Sequence, residues 1–333
     1  MAAREFDIIQ RYFTQPAQAI DDPSVLCAIG DDCAMVQVPI GEALLVSTDT
    51  CVAGTHFLPE APARWVAHKL LASNISDLCA MGAKPRWISL ALTLPEINET
   101  WLAEFSQGFF ALAAKHQLSL IGGDTTQGPL SATVTIHGSA PADRVLKRSG
   151  AIEGDFIYVT GTLGDAAAGL AKILQQRDFG AQNAYFVEQH YLSSPAPDFA
   201  CAIAPYAHSG VDISDGLYAD LGHICQQSQL AAVLQLDLLP LSAPLIDAYG
   251  LVQAQQLAIN SGEEYELCFT ADAAHHETLM QLAQTHGVQL TMVGQMKALA
   301  QMEVPGHRSA AQCIQLYQQG QPLLLENQSF EHF

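Results

Sequence analysis

The stretch FIYVT (156–160), GTLG (161–164) and DAAAGLAKILQ (165–175) decides the fold class. Its first five residues are β-branched or aromatic and suit a strand. The two glycines mark a turn, and the alanine- and leucine-rich run that follows suits a helix. Strand, turn and helix in that order predict an α/β arrangement. The same alternation runs through the residues before it. Ala43–Ser47 reads as a strand, Ala63–Met81 as a helix with Pro62 at its start, and Trp87–Leu94 as a strand ended by Pro95. In Trp101–Lys115, residues Trp101, Phe105, Phe109 and Leu112 share one helical face. Further strands are expected at Leu118–Ile121, Ala132–His137, Gly210–Ile213, Ala232–Leu236, Tyr265–Thr270 and Gln289–Gly294. The polar, glycine-containing stretch Arg148–Gly154 interrupts the pattern. It divides the chain into two α/β domains of similar length, 1–148 and 149–333, with no short repeat; Gln176–Asn183 reads as a surface loop.

Composition excludes several classes of function. The chain has 333 residues, of which 49% are hydrophobic and 14% charged, enough apolar material for two cores. Thirty-four acids against 14 bases give a formal charge of -20. Nucleic acid and anionic lipid both require a basic footprint, so neither is an expected partner. The first residues hold two acids and no apolar run, which is unlike a signal peptide, and no apolar stretch is long enough to span a membrane. Eight cysteines lie scattered without a CxxC pair, which fits buried thiols in a reducing cytoplasm.

The acids are few, and several follow apolar strands or glycines. Asp31 and Asp32 follow Ala28-Ile29-Gly30, Asp49 follows Leu44-Leu45-Val46-Ser47-Thr48, and Asp124 follows Gly122-Gly123. Asp212 and Asp215 stand in VDISDG. Taken singly, each suits a turn or a helix cap. Their recurrence at the ends of apolar runs suggests ligand-bearing strand tips, as in open α/β sheets. Asp77 lies on the helix Ala63–Met81, in one stripe with Leu70 and Asn74. A metal or a buried hydrogen-bond network would satisfy it equally well. Zinc spacings of cysteine and histidine are missing, and clustered carboxylates call for a hard cation, so Mg²⁺ is the expected metal. Several such ions would suit a polyphosphate. No GxxxxGK[ST] stands in the chain. TGTLGD at Thr160–Asp165 and Gly122-Gly123 are the candidate phosphate loops, and Arg148 the candidate neutralising base.

Together these segments resemble the thiamine-monophosphate kinase family of the aminoimidazole-ribonucleotide-synthetase superfamily. The resemblance is carried by IGDDCA (Ile29–Ala34), STDT (Ser47–Thr50), HFLP (His56–Pro59), NISDLCAMGA (Asn74–Ala83) and LIGGDTT (Leu120–Thr126). It continues in GPLS (Gly128–Ser131), RSGA (Arg148–Ala151), YVTGTLGDAAAGL (Tyr158–Leu170), DISDGL (Asp212–Leu217) and SGEEYELCFT (Ser261–Thr270). It implies a two-domain aminoimidazole-ribonucleotide-synthetase-like fold, α/β in the α+β sense, whose N-terminal domains pair in a homodimer. It also implies in-line transfer of the ATP γ-phosphate to thiamine phosphate. The implied Mg²⁺ positions are Asp32, Ser47, Thr48, Asp49, Asp77, Asp124, Asp212 and Asp215. The implied ATP positions are Gly123, Asp124, Arg148 and Ser214, and the thiamine positions His56, Glu263 and Phe330. Other ATP-dependent members of the superfamily and a non-enzymatic acidic cation-binding protein are the alternatives.

Three residues depart from the family pattern: Glu264 stands where GEDYE has aspartate, Thr55 precedes His56 where asparagine is usual, and Phe330 replaces a tyrosine. Phenylalanine keeps the aromatic face for a cationic thiazolium and loses only a hydroxyl. Phe330→Ala is therefore expected to raise the KM for thiamine phosphate roughly tenfold, the size of a cation–π contact of about 1–2 kcal/mol. The KM for ATP should stay constant in steady-state assays, and equal losses for both substrates would refute the assignment.

Overall fold

The computed structural model describes residues 5–18, 20–301 and 313–323; Phe330 lies outside them. Packing divides the chain into two units, Met1–Leu78 with Ala83–Asp143, and Cys79–Gly82 with Arg144–Phe333.

In the first unit, helical segments Glu5–Ile9, Gln10–Thr14 and Gln15–Ala17 precede a small antiparallel pair, β1 (Val25–Cys27) and β2 (Met35–Val36). Its main sheet contains β3 (Glu42–Val52), β4 (Lys84–Leu94), β5 (Ser119–Gln127) and β6 (Ser131–Pro141) in the order β3-β6-β4-β5. β3 and β6 pair antiparallel along their whole lengths, from Glu42 opposite Pro141 to Val52 opposite Ser131. β4 runs parallel to β5, and a parallel pair requires a crossover. The helix Glu99–Lys115 supplies it. Asn98 caps that helix by accepting the Trp101 N–H at 3.0 Å. Its stripe of Leu102, Phe105, Phe109 and Leu112 is buried, with Phe105 stacked between Trp101 and Phe109.

Helix Ala63–Ala80 is buried nearly all round: Leu70, Leu71, Ile75 and Leu78 at its core, and Lys69, Ser73, Asn74 and Ser76 as well. Those four polar residues face protein and not water, whereas Arg64 is exposed.

The second unit holds β7 (Phe156–Thr160), β8 (Ala207–Asp212), β9 (Leu230–Gln235), β10 (Leu267–Ala271), β11 (Leu290–Ala298), β12 (Ile314–Gln318) and β13 (Gln321–Leu323). They form one sheet in the order β13-β12-β9-β11-β7-β10-β8. Only β9 and β12 run parallel among the described pairs. The core joins Ile157 and Val159 of β7 and Val211 of β8 to Leu221 and Ile224 of helix Leu217–Ser228. A smaller cluster packs Ala168 against Phe186, Leu245 and Ala254. Both sheets are mixed, so the picture of parallel strands opening at a common tip does not apply. Among the described residues no helix is long and apolar enough to cross a membrane.

Glycine allows two helices of the first unit to touch at their backbones. A Cβ on Gly108 would lie 2.1 Å from the Arg64 carbonyl oxygen. Helix propensity alone favours alanine by about 0.5–1 kcal/mol, whereas overpacking costs about 1–3 kcal/mol. The second effect should win, because main chain cannot step aside as a side chain can. Gly108→Ala should lower unfolding free energy in a denaturant titration by roughly 1–2 kcal/mol. An unchanged or raised midpoint would show that the helices can separate freely.

Candidate functional site

In the first unit, strand alternation sorts the residues of STDT. Leu45, Ser47, Asp49 and Cys51 face one side of β3, where Leu45 and Cys51 are buried. Leu44, Val46, Thr48 and Thr50 face the other and are exposed. Ser47 Oγ donates to Asp77 Oδ2 at 2.5 Å, tying β3 to helix Ala63–Ala80. Burial pushes the Asp49 carboxyl above the usual carboxylate range, against a hydrogen bond from Ser73 and the neighbouring His56. His56 Nδ1 accepts the Val52 N–H at 3.1 Å, so the hydrogen of the neutral ring sits on Nε2. Thr48 belongs to the opposite face, where its hydroxyl donates to Thr135 at 3.0 Å.

A cavity of about 360 Å³ within this unit is lined in part by Asp31, Asp32, Gly122, Gly123 and Asp124. Gly123 has to be bare there, because a Cβ would lie 2.0 Å from the Leu90 carbonyl oxygen. Asp49 and Asp124 both lie inside strands, on β3 and β5, and not past their ends. The sequence reading ended these strands early because serine, threonine and aspartate look like loop; the ladders to β6 and β4 carry them on.

In the second unit Asp212 is buried at the end of β8, opposite Leu267 of β10. Ser214 and Asp215 lie in the turn that follows. The segment Gly262–Glu266 is hydrogen-bonded to this turn: Glu263 N–H to the Ser214 carbonyl at 2.7 Å and Tyr265 N–H to that of Ile213 at 2.8 Å. Glu263 and Tyr265 take positive φ angles of 65° and 54°, a conformation costly for side-chain-bearing residues. Glu263 Oε2 lies 3.4 Å from Nδ1 of the buried His190. Arg148 is exposed, and its carbonyl accepts the Ser228 hydroxyl at 3.3 Å.

The expectation of a phosphate cradle at Thr160–Asp165 is corrected. The Gly161 N–H goes to the Gln289 carbonyl, the Leu163 N–H to that of Pro240, and the Gly164 N–H to Glu264 Oε1. That loop is structural.

The acids quoted above offer oxygen donors of the kind hard cations take, and Asp49, drawn out of water, gains from a cation beside it. By donor chemistry they fit Mg²⁺. Among the described residues no three histidine, cysteine, aspartate or glutamate side chains already converge as a cation cage.

Residues 30–140 match the family described as AIR synthase related protein, N-terminal domain, and residues 153–305 its C-terminal domain. The thiamine-monophosphate kinase of Escherichia coli K12 is 44% identical over all of this chain and 99% of its own length. The chain belongs to the thiamine-monophosphate kinase family. A crystal structure of thiamine-monophosphate kinase from Stenotrophomonas maltophilia superposes with a TM-score of 0.83 at 38% identity, covering 97% of this chain and 99% of that one. AaThiL complexed with AMPPCP and TMP superposes with a TM-score of 0.74 at 26% identity, over the whole of both chains.

In this member of the thiamine-monophosphate kinase family, the sequence reading missed a set of acids in the second unit that accept hydrogen bonds from its main chain and hydroxyls. Asp220 Oδ2 accepts the N–H groups of Ser214, Asp215 and Gly216 at 3.0–3.1 Å. Burial, helped by the nearby charge of Asp215, raises its carboxyl to about 7. Glu264 accepts from Gly164 N–H at 2.8 Å and Ser261 Oγ at 3.1 Å, and Glu266 from the Thr160 hydroxyl. Asp165 takes hydroxyls from Ser242, Thr162 and Tyr185. An acid in the first turn of a helix, as at Asp220, was the one available signal. It says nothing of where the side chain turns.

Burial raises Glu264 to about 8 and Glu266 to about 7, and raises Asp165 as well. Each of these acids holds its proton more tightly folded than unfolded. Their contribution to stability is therefore complete below the ordinary carboxylate range and is lost as pH rises through about 7 to 8. Thermal unfolding at pH 6 and pH 9 should show the loss. Glu264→Gln keeps an acceptor for Gly164 and Ser261 and should flatten the pH dependence; an unaltered slope in the variant would remove Glu264 as its source.

Proposed function

We propose that this chain is a magnesium-dependent thiamine-monophosphate kinase, transferring the γ-phosphoryl group of ATP to thiamine phosphate and releasing thiamine diphosphate and ADP. The observation that carries the reading is the cavity lined by Asp32, Gly123 and Asp124, in a chain whose full-length relatives bear that name. A relative of the same fold held AMPPCP and TMP together.

Mg²⁺, when bound, neutralises charge on the phosphates and on the transferring group. In the first unit Asp32, Ser47, Asp49, Asp77 and Asp124 would hold it, and Thr48 only through its main chain, since its hydroxyl points the other way. In the second unit Asp212 and Asp215 would do so. Gly123, which lines the cavity, offers its main chain to a phosphate. Arg148 and Ser214 contribute charge and a hydroxyl to the nucleotide. His56, Glu263 and Phe330 recognise the organic half of thiamine phosphate: Glu263 its cationic thiazolium or aminopyrimidine, Phe330 its ring face. The acceptor is a phosphate oxygen, already nucleophilic near neutral pH, so the reaction needs alignment more than it needs a base.

The domains are read as 1–148, binding metal and nucleotide and mediating dimerisation, and 149–333. A homodimer through the first unit is supported by the open face of β3, where Leu44 and Val46 are 47% and 55% exposed. The charge of -20 argues against nucleic-acid and lipid partners, and the scattered cysteines suit a cytoplasmic protein.

ADP release from ATP and Mg²⁺, measured with and without thiamine phosphate, tests the activity; an acidic cation-binding protein would release none in either case. Asp49→Asn and Asp124→Asn should abolish transfer while leaving circular dichroism and melting behaviour near wild type, because each removes a ligand charge and little volume. Near-normal turnover of either variant at ordinary Mg²⁺ concentrations would take that acid out of the mechanism.

A further inference from the structure

Three consecutive main-chain N–H groups, those of Ser214, Asp215 and Gly216, converge on one side-chain oxygen, Asp220 Oδ2, at 3.1, 3.0 and 3.1 Å. Convergent N–H groups of this kind ordinarily form an anion-binding concavity. Here the chain fills the concavity with its own carboxylate, which is 1% exposed. The N–H face of the turn is thereby committed inward. What the turn still offers is the Ser214 hydroxyl, half-buried, and the Asp215 carboxylate, exposed.

The turn's other side is held separately. The Ser214 carbonyl accepts the Glu263 N–H at 2.7 Å, and a Cβ on Gly262 would come within 2.2 Å of that carbonyl oxygen. Gly216 closes the turn at φ 115°, where a side chain is strained. Asp220 follows from the first turn of helix Leu217–Ser228, so the helix that leaves the turn returns the group that fixes it.

We propose that Asp220 is a positioning residue for the nucleotide end of the reaction: its buried carboxylate sets the Ser214–Gly216 turn so that Ser214 and Asp215 are presented together to the phosphates. This rests on the roles assigned above to Ser214 and Asp215. Asp220 touches neither substrate, and acts by removing the turn's freedom before the ligand arrives.

The test compares Asp220→Ala with Asp220→Asn, which keeps an oxygen acceptor. Binding of a non-hydrolysable ATP analogue at fixed Mg²⁺ is measured by calorimetry, together with KM for both substrates and hydrogen exchange of amides 214–216. Asp220→Ala is expected to weaken analogue binding at least tenfold and to speed exchange at 214–216, with the KM for thiamine phosphate changed less than about threefold. Asp220→Asn is expected to stay within about threefold of wild type on every measure. A folded Asp220→Ala protein with unchanged nucleotide binding overturns the proposal. Should Asp220→Ala not fold, Asp220→Asn decides alone: retained binding supports positioning, and lost binding with amides 214–216 still protected shows that the charge acts directly and overturns it. Ser214→Ala and Asp215→Asn serve as controls. If both leave analogue binding intact, the assignment of the turn to the nucleotide is what has failed, even where exchange shows Asp220 holding it.

Discussion

A carboxyl group taken out of water must be given donors or keep a proton, and the second unit is arranged around that demand. Asp165, Glu264 and Glu266 are met by a hydroxyl or main-chain N–H group from segments remote in sequence, Ser242, Gly164 and Thr160 in turn, and Asp220 by the N–H groups of the turn just before its own helix. Apolar packing of β7 and β8 with helix Leu217–Ser228 holds the sheet together. The acids determine how the loops leave it. Polar groups in low dielectric accept few alternative partners, so such a network selects one loop geometry among the many that an apolar core would tolerate.

The first unit solves the same problem with a sheet. Ser47 and Asp49 lie on the side of β3 covered by helix Ala63–Ala80, where Asp77 and Ser73 answer them. That helix is buried along most of its surface, so its polar residues are fixed by neighbours and have little rotamer freedom. Ligand-bearing groups held in this way need little rearrangement when a charged substrate arrives.

Element order and most strand positions were legible in the sequence, because β-branched runs and helical stripes are local signals. Phe156–Thr160 was read with its observed bounds. Strand ends were less legible wherever polar residues continue a ladder: Thr48, Asp49 and Thr50 owe their extended backbone to β6, nearly ninety positions away. The prominence of Asp49, Asp124, Asp212 and Asp215 came from their setting beside apolar strands, and the motif resemblance assigned them roles. Asp220 was not legible as an anchor, since its partners are main-chain atoms, which every sequence has. The glycine loop at Thr160–Asp165 misled for the same reason: glycines show where a turn is possible, and only the fold shows that Gln289, Pro240 and Glu264 already occupy its N–H groups.

The placement of Asp49 within β3 limits how this chain can change in length. Side chains alternate along a strand, so one residue inserted ahead of Ser47 without a compensating bulge would turn Thr48 and Thr50 toward the helix and send Asp49 outward. A point substitution alters one group, whereas a single-codon insertion or deletion here would invert the chemistry of both faces while leaving the composition almost untouched. The turn between β5 and β6, at Gly128–Leu130, carries no such parity rule. Insertions that keep reading frame should therefore accumulate in connections of that kind and be purged from the rungs of β3.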